Sequence, residues 1–231
     1  MRRQQGHPPR LTTPKLFLLV CGMAPSCFAG PDFTGSAVFE SGLIANGSWA
    51  GSSLQLNWTV YQDPDGSWYY DYVLIVPEKD ISHVVFEAPP TFRQDDLFSL
   101  TWPDKLTEVG MHTSANGNPD IPASFYGIKF DSPKEGSTSW HIRFATWQGP
   151  AWGDFYARDG RTGQGWNSAW NLGFTGPDTD PADPPQDGSI ANHVLVPGAP
   201  RVQSPESGTL MLVGLALLIL PAMLRWRMSR R

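Results

Sequence analysis

Leu54-Gln55-Leu56-Asn57-Trp58-Thr59-Val60-Tyr61 is the stretch that decides the fold. Leu54, Leu56, Trp58 and Val60 alternate with Gln55, Asn57, Thr59 and Tyr61. A period of two sends one set of side chains to a core and the other to water, as a half-buried strand requires. The turn Asp63-Pro64-Asp65-Gly66-Ser67 follows, with Pro presetting one dihedral and Gly accepting a positive one. The run from Trp68 to Val76 then closes a hairpin. Farther along, Trp140, Ile142 and Phe144 alternate with His141, Arg143 and Ala145 in the same way. No comparable amphipathic helix occurs between Gly30 and Ser204. Short strands, frequent Gly/Pro turns and 12% aromatic residues predict an all-β domain over residues 30–196. The expected architecture is a single antiparallel β-sandwich of jelly-roll or immunoglobulin-like kind.

Outside that domain the chain changes character. Arg2, Arg3, Arg10 and Lys15 precede an apolar run, Leu16 to Met23, and then Ala24-Pro25-Ser26-Cys27-Phe28-Ala29. A basic start, a short apolar stretch and small residues at Cys27 and Ala29 predict a secretory signal peptide, residues 1–29, cut before Gly30 by signal peptidase. Both cysteines, Cys21 and Cys27, would leave with it, so the remaining domain relies on packing without a disulfide. Between Gly30 and Ser204 nine Lys/Arg face 21 Asp/Glu, a formal charge of −12. Such a body repels phosphate backbones and excludes a nucleic-acid partner.

From Gly208 to Leu224 the sequence carries no charge, and as a helix at about 1.5 Å per residue it covers roughly 25 Å, enough for a thin bilayer. Arg225, Trp226, Arg227, Arg230 and Arg231 follow. Arginines favour the cytoplasmic side and Trp the headgroup layer, so this end predicts a single membrane span, 208–224, with the domain outside the cytoplasm. An acidic Pro/Asp loop at 176–189 and a linker at 197–204 complete the expected organisation.

Ser204-Pro205-Glu206-Ser207-Gly208-Thr209-Leu210, the apolar span and the Arg-rich end resemble the PEP-CTERM sorting domain, also called the ice-binding-protein C-terminal domain. The family pattern is Pro-Glu-Pro, then an apolar helix, then basic residues; Pro205 and Glu206 match it, and Ser207 stands in place of the second proline. The resemblance covers residues 205–231. It implies an exosortase-type transpeptidase as partner and export in a Gram-negative bacterium, where the span lies in the inner membrane and the domain in the periplasm. It also implies release of the processed chain to the cell surface or an exopolysaccharide matrix.

Candidate chemistry in the domain is sparse. Trp147, Trp152 and Tyr156 lie beside Gly turns and are the aromatics expected to be free for stacking on a ligand such as a sugar. Asp159, Asp178, Asp180, Asp183 and Asp187 lack the spacing of a calcium loop, and His83, His112, His141 and His193 lack zinc spacing, so no metal is expected. No nucleophile elbow or phosphate loop is present, and no cofactor is implied. Glu87 with Asp131, or another carboxylate pair, forms a glycosidase dyad only where folding sets the two about 5–10 Å apart. The reading is therefore a non-enzymatic, exported, membrane-anchored envelope or matrix protein. Its alternatives are a carbohydrate- or surface-binding module and a glycoside hydrolase-type enzyme.

Overall fold

In the computed structural model of the chain the described residues are 30, 32–51, 53–133, 136–163, 165–175 and 186–199. The predicted hairpin forms as β3 (Gln55–Gln62) and β4 (Trp68–Ile75), paired from Gln55↔Ile75 to Gln62↔Trp68. Leu56, Trp58 and Val60 are buried between partly exposed neighbours, and Tyr70, Tyr72 and Leu74 match them from across. β8 (Ser139–Thr146) adds to the other side of β4 with Trp140, Ile142 and Phe144 facing inward. Asp65 ties the turn by accepting from the Ser67 N–H at 2.8 Å.

The remaining strands are β1 (Asp32–Phe39), β2 (Gly42–Asn46), β5 (His83–Glu87), β6 (Thr107–His112), β7 (Phe125–Asp131), β9 (Pro150–Gly153), β10 (Phe155–Thr162), β11 (Gly165–Asn171) and β12 (Val194–Pro197). Ten strands form one sheet in the order β6-β7-β5-β10-β11-β2-β1-β3-β4-β8, and β12 pairs with β9 in a separate ribbon. All neighbours are antiparallel except β1 and β2, which meet in parallel at Val38↔Gly42 and Phe39↔Leu43. The tight reversal between them places Gly42 at φ 108°, and a Cβ there would stand 2.9 Å from that of Ala37, so both space and dihedral require glycine.

The chain is thus mostly β-strand, and its large sheet is open and curled into a half-barrel. Curling brings strands that are distant in the sheet face to face. Tyr72 of β4 stacks on Phe86 of β5 at 3.8 Å between ring centres, and Phe130 of β7 on Phe144 of β8 at 5.8 Å. Burying each such ring contributes roughly 2–3 kcal/mol. The β9–β12 ribbon adds Trp152, Val194, Leu195 and Val196 to this core, and the Tyr72 hydroxyl donates to the Leu195 carbonyl at 2.7 Å. Among the described residues, helix is confined to three-residue 3-10 turns, and no helix is long and apolar enough to cross a membrane. Segments 1–29 and 200–231, with the expected span 208–224, lie outside the described residues.

One expected boundary shifts. Pro197 belongs to β12, opposite Pro150, and the Gly198 N–H donates to the Gly149 carbonyl at 2.8 Å, so the expected linker begins after Gly198. A proline is tolerated at this strand end because no donor is required of it. Residues 176–185 of the acidic loop lie outside the described residues, but Asp187 is anchored, accepting from the Thr34 N–H at 2.9 Å.

Candidate functional site

The three aromatics expected to be free do not share a surface. Trp147, directly after β8, is 63% exposed and touches Phe98, with ring centres 5.4 Å apart. Trp152 and Tyr156 are fully buried, which corrects the expectation for both. Trp152 lies on β9, whose pairing with β12 turns it into the main core. Tyr156 lies on the outer face of β10, which the loop Thr113–Ser124 covers; its hydroxyl donates to the Pro119 carbonyl, and burial raises its pKa. Gly30 is half-buried at the start of the described chain. Cys27, Ala29, Pro205, Glu206, Ser207, Arg225, Trp226, Arg227, Arg230 and Arg231 lie outside the described residues.

Folding gathers a polar cluster that no spacing in the sequence announces. Glu87 closes β5, Asp154 links β9 to β10, Asn171 ends β11 and His193 precedes β12; all four are buried. Glu87 Oε2 accepts from the Asp154 N–H at 2.8 Å. The Asp154 carboxylate accepts from Asn171 Nδ2 at 2.9 Å and from the Thr175 N–H at 3.0 Å. Asn171 Oδ1 accepts from the Phe155 N–H at 2.8 Å. His193 Nε2 stands 3.6 Å from Asp154 Oδ1 and 3.5 Å from Thr175 Oγ1. A relay of acid, imidazole and hydroxyl needs the acid on one ring nitrogen and the hydroxyl on the other. Here both approach the same nitrogen, which is not the arrangement of such a relay. The carboxylates of Glu87 and Asp154 are likewise held inside the fold. Glu87 and Asp131 sit four strand positions apart, since Asp131 pairs with His83; at about 3.4 Å per residue that is roughly 14 Å, too far for a dyad.

A second cluster lies beneath the covering loop. Arg158 Nη1 donates to the Gly117 carbonyl, while Asn46 Nδ2 and Ser168 Oγ reach Asp120 at 3.3 and 3.2 Å. Under these ties Val85, Ile121, Phe125 and Tyr156 form a small core of their own. His83 is buried at its edge, 4.0 Å from Asp131. Burial, reinforced by the charges of Lys129 and Arg158, pushes its pKa down to about 3, so it is neutral at ordinary pH. His112 is also lowered by burial.

The exposed chemistry is of two kinds. On the open face of β3, β4 and β8, Tyr61 and Tyr69 stack 5.2 Å apart at 6°, with the Arg143 guanidinium over both rings. Beside the β10–β11 hairpin, where the pairing slips between Arg158 and Arg161, Glu78, Lys79, Asp159, Arg161, Thr162 and Asn167 line a groove of about 580 Å³. That size is in the range of small-ligand clefts, and the named charges of both signs balance. Among the described residues no three His, Cys, Asp or Glu side chains converge as metal ligands. Comparison with known proteins returns no match: no family pattern, no curated protein and no solved structure.

Proposed function

We propose that this chain is an exported envelope or exopolysaccharide-matrix protein with a structural, non-catalytic role, held first in the inner membrane and sorted by its C-terminal signal. The observation that carries the reading is the uncharged run Gly208–Leu224, set behind Pro205-Glu206 and closed by Arg225, Arg227, Arg230 and Arg231. The domain is suited to that route. It has no cysteine, so its folding does not depend on an oxidising compartment. Its gathered carboxylates and histidines are engaged with one another inside the fold. The facing halves of the curled sheet act as the two layers of a β-sandwich, closed by the ribbon.

Both ends of the domain also leave from one side. Phe33, at the start of β1, stacks on Trp68 with centres 6.4 Å apart, and Gly149, which holds Gly198 at the exit, packs on the same Trp68 ring. A signal at one end and an anchor at the other then engage a membrane lying on that side.

The test is mass determination of the mature protein from cells with and without a functional exosortase. The expected result is a chain starting at Gly30 in both, shortened near Pro205-Glu206-Ser207 only where the transpeptidase works. Equal C-terminal mass in both strains rejects processing. Fractionation of the unprocessed full-length chain as soluble without detergent rejects the anchor.

A further inference from the structure

We infer that Trp147, with Phe98 beside it, is a membrane-resting surface: the domain sits on the lipid–water interface of the bilayer that holds its tail, with this indole in the headgroup layer. The inference rests on the tail reading and adds an orientation to it.

Three observations carry it. Trp147 is 63% exposed, against exposures below 4% for Trp49, Trp58, Trp140 and Trp152, while Trp68, Trp102, Trp166 and Trp170 are partly buried, so this is the indole most presented to the surroundings among the described residues. Its position is the second. Trp147 stands two residues before Gly149, whose carbonyl accepts from the Gly198 N–H at 2.8 Å, and Ala199 is exposed immediately beyond. The chain therefore leaves the domain beside Gly149, two residues along the backbone from Trp147. The third is reach. Only Pro200 to Ser207, eight residues, separate the domain from the start of the apolar run, and fully extended they span at most about 30 Å. A domain of some 170 residues is roughly 40 Å across, so a tether this short brings the exit end, and not the opposite end, to the bilayer.

The chemistry fits the interface. An indole has an apolar body and one N–H donor, which is why Trp concentrates where hydrocarbon meets water. One such ring binds a membrane weakly, but a short tether raises the effective concentration of the contact to about millimolar and makes weak contact sufficient. Asp63 and Asp65 lie in the turn that joins β3 to β4, at the end where Trp68 pairs with Thr146. The contact is accordingly apolar and does not draw on anionic lipid.

The full-length chain, labelled with 5-fluorotryptophan and reconstituted in phosphatidylcholine nanodiscs, tests this by fluorine NMR. Trp147→Phe and Trp226→Phe assign the two resonances, and both positions are free of core packing demands or outside the domain. Lipid spin-labelled near the headgroup is then added. The expected result is loss of the Trp147 and Trp226 signals with Trp49 and Trp58 retained. Loss at Trp226 alone leaves the anchor standing and overturns the proposal. Retention at both sinks the anchor and the proposal together. Protection of Trp147 by a second, unlabelled copy of the chain in place of lipid also overturns it.

Discussion

The two halves of the curled sheet are built on different plans. In β3 and β4 burial alternates residue by residue, because one face meets the core and the other meets water. In β5 all five residues are buried, because Val84 and Phe86 face the main core while His83, Val85 and Glu87 face a second layer made by the covering loop and the segments around Asp154 and His193. The half with one wet face keeps its charges on the surface, where Asp71 and His141 pair at 2.7 Å. The half covered on both faces turns buried polar groups toward one another, as in the Glu87–Asp154–Asn171–His193 cluster. The burial of this constellation is a consequence of double coverage.

The contrast breaks most clearly at Asp154. Replacing it with alanine removes the acceptor of the Thr175 N–H and one of the two acceptors of the Asn171 amide, and takes the carboxylate from beside His193, all at a buried site. A loss of about 3–5 kcal/mol is expected, read as a lower urea midpoint at unchanged slope. A smaller effect belongs to His83. Its pKa is about 3 when folded against 6.5 as the ordinary value, so below pH 6.5 the unfolded chain takes up a proton that the folded chain refuses. Stability from this group is complete above pH 6.5 and is lost progressively as pH falls toward 3, with a slope of at most about 1.4 kcal/mol per pH unit. His83→Gln should flatten that part of the stability–pH curve relative to the parent, measured by urea unfolding at several pH values. An unchanged slope would place the protonation elsewhere, for example at His112. The open half supplies the smallest effect. His141 is 64% exposed in its pair with Asp71, and Asp71→Ala should cost below about 1 kcal/mol by the same measurement. A cost matching that of Asp154→Ala would erase the distinction between the halves.

The legibility of the sequence followed the same division. Strands with one wet face announce themselves, and the hairpin at Leu54–Val76 and the strand around Trp140–Phe144 stand close to where alternation put them. β5 carries no alternation because both its faces are dry, and β9 is too short to show a period. Trp152 and Tyr156 looked free because glycines flank them, yet those glycines serve close packing. At Gly153 a Cβ would stand 2.5 Å from Val196 and 2.8 Å from Glu87. Trp147 has a similar neighbourhood in sequence and emerges exposed, since it follows the end of a strand and has no layer above it.

By itself the sequence determined the chemistry of the ends and the β character of the middle. Charge, apolar length and a period of two are local properties that each segment carries wherever the chain goes. Only the tertiary structure decided that ten strands join in one curled sheet, that a loop seals one half of it, and which buried carboxylate meets which histidine. Those outcomes depend on surfaces contributed by segments far apart in the chain, and no local pattern encodes what will be laid on top of it.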